Sequence, residues 1–78
     1  MNTREHMIHR AKAVMLNAYS PYSQFQVGAC LRTANDEYFT GCNIENVSYG
    51  LTLCAEASAL AALISAGNTQ IAEVAIAC

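Results

Sequence analysis

The feature that most narrows the fold is a change of hydrophobic period. In "FQVGACLR", Phe25, Val27, Ala29 and Leu31 alternate with Gln26, Gly28, Cys30 and Arg32, the period of two that sends alternate side chains to opposite faces of a strand. "TANDE" supplies turn residues and "YFTGCNI" a returning strand, so residues 25 to 44 read as an antiparallel hairpin. Gly28 marks a bulge or a close backbone approach. On either side of the hairpin the period lengthens. Residues 4 to 18 carry Met7, Ile8, Ala11, Met15, Leu16 and Ala18 on a stripe at helical spacing, with Asn2 or Thr3 as N-cap and Pro21 preventing continuation. "LTLCAEASALAALISAG" predicts a second helix with Thr52 as N-cap and Gly67 as the C′ residue. The β-branched, apolar "QIAEVAIAC" predicts a strand buried on both faces. Strand, crossover helix and parallel strand would then form a right-handed βαβ unit.

Composition matters because this pattern has little surface in which to hide its apolar residues. A chain of 78 residues is one small domain, able to bury only about 60 to 65 % of its unfolded surface. Yet 54% of it is hydrophobic and 13% charged. Other subunits, or polypeptide outside this sequence, are expected to cover the excess. A three-stranded layer ending on a strand is also incomplete as an α/β sheet.

The net charge of −2 and the scattered Arg4, Arg10, Lys12 and Arg32 give no footprint for a nucleic-acid polymer. No segment reads as a signal peptide or approaches the roughly 20 apolar residues of a membrane span, so a soluble cytoplasmic protein is expected. In a reducing compartment the four cysteines are expected as thiols. Cys30 and Cys42, each within a strand, read as small buried hydrophobes. His6 and His9 share a helix face without a third ligand nearby, and read as surface histidines. GxGxxG and P-loop patterns are absent, which removes dinucleotide and nucleoside-triphosphate readings.

Cys54 and Glu56 carry the chemistry. With Thr52 as N-cap, Cys54 falls in the first helical turn, where unpaired N–H groups and the helix dipole favour an anion. Thiolate is the form that binds zinc or attacks an electrophile. Glu56 lies about 200° further round the helix, but both side chains can converge on a ligand seated over the helix end. A carboxylate behind a metal-bound water can shuttle protons. The residues alone leave a second account open: a buried thiol and a carboxylate that favours the helix N-terminus.

"SPYSQFQVGACL", "FTGCNIENVSYG" and "CAEASAL", in this order and spacing, make the chain resemble the cytidine deaminase family over essentially its whole length. The resemblance implies a three-layer α/β/α sandwich with a mixed sheet, represented here by helix, hairpin, helix and strand. It also implies hydrolytic deamination of cytidine or deoxycytidine in pyrimidine salvage, by a zinc enzyme that is usually a homotetramer. Cys54 matches a zinc ligand, and Glu56 the group that takes a proton from zinc-bound water and returns it to N3 and the leaving ammonia. Ala55 matches the residue whose backbone meets the pyrimidine edge. Phe25 matches the aromatic residue beside the base, and Asn43 and Glu45 the pair that binds the ribose hydroxyls. Tyr49 matches a pocket residue near a subunit boundary.

Two departures from the family pattern stand out. The P-C-x-x-C segment that supplies the other zinc ligands does not occur in these 78 residues, so one of three protein ligands is present. Ala57 also stands where cysteine-ligated members commonly have arginine, a cation that offsets thiolate charge. In a completed chain, Ala57→Arg is expected to raise activity at neutral pH. A non-catalytic remnant, or a subunit of a deaminase-like oligomer, is the alternative function.

Overall fold

The computed structural model describes residues 2–46 and 52–78. Its elements run α1 (Thr3–Met15), β1 (Gly28–Arg32), β2 (Tyr38–Cys42), α2 (Ala55–Ser65) and β3 (Glu73–Ala77). The order is the expected one. Asn2 caps α1, its Oδ1 accepting from the Glu5 N–H at 2.8 Å while its Nδ2 donates to Glu5 Oε1 at 3.2 Å, a reciprocal arrangement like a capping box. The helix closes at Met15, short of the expected Ala18, and leaves Leu16 largely exposed.

Strand order is β2-β1-β3, and both pairings are antiparallel. This corrects the expected βαβ adjacency. β2 and β3 do run in the same direction, but β1 lies between them, so the α2 crossover passes over the central strand. Leu31 pairs with Phe39 on one side and Val74 on the other. The three strands therefore pair only antiparallel, and the parallel contact among the described residues is the isolated bridge between Tyr19 and Ile44.

Each face of the sheet carries one helix. Ala29 and Leu31 pack with Ala55, Ala59 and Leu63 of α2, joined by Val27 and Phe39. On the other face Cys30 and Ala77 pack with Met7 and Ala11 of α1. The period of two in β1 thus buries both alternating sets, and the three layers follow. Gly28 and Gly41 allow the close contact. A Cβ on Gly28 would collide with the Ala11 carbonyl, and one on Gly41 with the Ala59 amide and, at 2.8 Å, with the Ala55 carbonyl oxygen. Gly28 is therefore a site of close approach.

α2 lies over β1 and β2 and leaves β3 uncovered on that side. Val74 and Ile76 are 53% and 45% exposed, in contrast to the expected burial on both faces. The far end of α2 meets expectation: Gly67, at φ 95°, is its C′ residue. Its N–H donates to Ile64 O at 2.9 Å, and the Asn68 N–H donates to Leu63 O at 3.2 Å, the Schellman pattern.

Candidate active site

The site forms where the chain leaves β2. Ile44 exchanges two backbone hydrogen bonds with Leu53, at 2.9 and 2.8 Å. From the opposite edge, the Tyr19 N–H donates to Asn43 O at 3.0 Å and the Glu45 N–H to Tyr19 O at 2.7 Å. Extended backbone places residues two apart on the same face, so Asn43 and Glu45 share a side while Ile44 is pinned to the segment that begins α2.

That pinning moves the start of the helix. Cys54, expected inside the first turn, is the N-cap, with extended backbone (φ −77°, ψ 162°) and no side-chain capping bond. Thr52, expected as the cap, instead accepts from the Asn46 N–H at 3.3 Å and donates to Asn46 O at 2.9 Å. The sequence favoured the hydroxyl as cap, but the antiparallel bridge between Ile44 and Leu53 holds Leu53 extended. Cys54 and Glu56 are both exposed at this helix start. The first N–H groups of α2 lie beside them without intrahelical partners.

Phe25, Asn43, Glu45, Cys54, Ala55 and Glu56 all line one cavity of about 320 Å³, together with Ser23, Val27, Thr52 and Leu53. Every expected site residue within the described part of the chain is there. Tyr49 lies outside the described residues. A cavity of comparable size, about 380 Å³ between α1 and β3, is lined by Arg4, Met7, Ile8 and residues 73–76 and contains no cysteine or histidine.

The 20–25 loop is held over the cavity by the two side chains matched to the sugar. Glu45 Oε1 accepts from the N–H groups of Tyr22 and Ser23, each at 3.0 Å, and Oε2 accepts from Ser23 Oγ at 2.5 Å. The Ser23 hydroxyl, followed by the Ser23 amide, holds the Glu45 carboxyl below the usual carboxylate range; desolvation opposes them, and the Tyr22 amide adds a lesser lowering. Asn43 Nδ2 donates to Phe25 O at 2.8 Å, and its Oδ1 accepts from the Val27 N–H at 2.9 Å. Gln24, between these anchors, sits at φ 58°, a left-handed conformation that costs a non-glycine residue about 1–2 kcal/mol. Sequence reasoning missed Ser23, because a serine in a polar loop carries no local sign of a partner so far along the chain.

The cysteines are all free thiols, Cys30 buried and Cys54 and Cys78 exposed. Burial pushes the Cys30 thiol upward, a rise only partly offset by Arg10. His6 is half-buried rather than simply solvated: it accepts from Arg10 Nε at 3.0 Å and meets the Tyr38 ring edge-on. Among the described residues no three His, Cys, Asp or Glu side chains are grouped to hold a metal ion. Cys54 fits as one ligand of a zinc site and does not complete one, since catalytic zinc takes three protein ligands. No described helix is long and apolar enough to cross a membrane.

Residues 1–78 match the family model described as the cytidine and deoxycytidylate deaminase zinc-binding region. A cytidine deaminase of Mycobacterium tuberculosis is 52% identical over 61 residues, 78% of this chain and 44% of that protein. One from Halalkalibacterium halodurans is 44% identical over 73 residues, 94% of this chain and 55% of that protein. The crystal structure of cytidine deaminase from Burkholderia pseudomallei superposes with a TM-score of 0.88 at 45% identity, covering 96% of this chain and 61% of that one. The chain spans about half the length of the curated relatives it matches. With a family match along all 78 residues and the same fold as a cytidine deaminase at 45% identity, the chain belongs to the cytidine and deoxycytidylate deaminase family.

Proposed function

We propose that the chain takes part in hydrolytic deamination of cytidine or deoxycytidine to the corresponding uridine nucleoside. The observation that carries the reading is the convergence of Phe25, Asn43, Glu45, Cys54 and Glu56 on one cavity. Phe25, 57% exposed, offers an aromatic wall for the base, and the Ala55 backbone the polar contact to its edge. Asn43 uses one donor and one acceptor position on the loop backbone and keeps one of each. Glu45 keeps an acceptor. Together they can both donate to and accept from a pair of neighbouring hydroxyls. A pocket built that way discriminates against analogues lacking those hydroxyls, because its polar groups would go unpaired.

Glu56 is the acid/base group, taking the two protons that the attacking water gives up in turn and delivering one to N3 and the other to the amino nitrogen that departs as ammonia. Cys54 is one zinc ligand, and its partners come from outside the described residues. Zinc in such enzymes supplies an acidified water. Tyr49 is a further pocket residue, at a subunit boundary of a homotetramer, and the setting is cytoplasmic pyrimidine salvage.

The test is a chimera that joins residues 1–78 to the part of the Burkholderia pseudomallei protein that this chain does not cover. Zinc per chain and the fall in cytidine absorbance are measured together. One zinc per chain with turnover is expected, with Cys54→Ala losing the metal. Glu56→Gln keeps the metal and loses about 10² to 10⁴ in kcat. Zinc retained without turnover, or turnover that survives Glu56→Gln, rejects the reading.

A further inference from the structure

We infer that Ser23 is a positioning residue for sugar recognition, its hydroxyl fixing the Glu45 carboxylate in the orientation that leaves one acceptor position for a ligand hydroxyl. This rests on the reading of Asn43 and Glu45 as the sugar-binding pair. Glu45 Oε1 is held by two backbone N–H groups, those of Tyr22 and Ser23. A carboxylate held at one oxygen can still swing the other. Ser23 Oγ, 2.5 Å from Oε2, stops that rotation through a charge-assisted bond of the short O–H···O⁻ kind.

The serine is itself held in place. Its Oγ accepts from the Phe25 N–H at 3.1 Å, so its single proton is committed to Glu45. The Phe25 carbonyl accepts from Asn43 at 2.8 Å. The two sugar-reading side chains and the aromatic wall are therefore linked through Ser23 as one hydrogen-bonded unit. An ionised carboxylate offers about four acceptor positions. The loop fills three and leaves one, on Oε2, beside the serine. Removing the hydroxyl frees the carboxylate to turn and lets water occupy Oε2, while both anchors on Oε1 remain.

The experiment titrates the 78-residue chain with cytidine and with 2′,3′-dideoxycytidine, following amide shifts by NMR. Ser23→Ala is expected to weaken cytidine by at least about tenfold, the scale of one hydrogen bond to a charged group, and to leave the dideoxy analogue unchanged. Ser23→Thr, which keeps the hydroxyl at an exposed position, restores cytidine binding. Equal weakening of both nucleosides by Ser23→Ala, or no weakening of either, overturns the role of Ser23. Failure of the parent reading looks different: the unmodified chain binds neither nucleoside, or Glu45→Gln weakens both alike.

Discussion

Glu45 shows how much of a site rests on the partners of one side chain. Its folded carboxyl lies below the usual range because the Ser23 hydroxyl and the amides of Ser23 and Tyr22 stabilise the ionised form. A depressed carboxyl favours the closed loop above its unfolded pKa, and that contribution is lost as pH falls through the lower folded value. The Tyr22 and Ser23 amide resonances are thus expected to titrate on the acid side of the ordinary carboxylate range. In Ser23→Ala the midpoint moves up towards that range. Proton–nitrogen spectra across an acid titration check this, and an unmoved midpoint would show that the hydroxyl is not the principal cause. Asn43, Glu45, Cys54 and Glu56 were legible through the resemblance carried by three motifs in order, not through spacing alone, and the structure brings all four to one cavity. Ser23 was not legible, since its bond to Glu45 depends on the path of the intervening hairpin.

At the scale of elements, all five were legible: α1 and β1 by hydrophobic period, β2 by the turn before it, α2 by its flanking cap residues and β3 by its β-branched apolar run. Two element-level features were not. The start of α2 was read from the capping preference of Thr52, whereas the backbone pairing of Leu53 with Ile44 decides it. The place of β3 was read from the usual preference for βαβ units, and nothing within residues 73–77 encodes which strand it pairs with. Gly41 is the element-level test. α2 packs its backbone directly on this residue, so Gly41→Ala forces helix and strand apart, an overpacking cost of about 1–3 kcal/mol. Each kcal/mol lowers Tm by roughly 4–8 °C in a domain of this size. Melting followed by circular dichroism should show the drop. A Tm equal to that of the unmodified chain would mean that the two layers have room to spare.

For the whole molecule, the question is what the apolar surface does. Leu60, Ile64, Ile71, Val74 and Ile76 are all exposed, and those on β3 face a side of the sheet that α2 does not cover. Burying apolar area yields about 25 cal/mol per Å², so these side chains favour association over staying dispersed. Sedimentation of the chain is expected to show species heavier than the 8.4 kDa monomer that grow with concentration. The double variant Val74→Lys, Ile76→Lys should shift the distribution back towards monomer. A monomer at every concentration would contradict the composition-based expectation. The excess of apolar residues was legible from the sequence, but its location was not, because the pairing of β3 determines which residues stay uncovered.

The doubly bonded position of Ile44 also sets where this chain tolerates a change of length. One residue inserted between Asn43 and Glu45 would turn one of them to the opposite face and shift Leu53 by a pleat, disrupting the sugar-reading and thiol-bearing sides in a single step. The same insertion in the 33–37 turn would lengthen a surface loop far from the cavity and leave both sides in register.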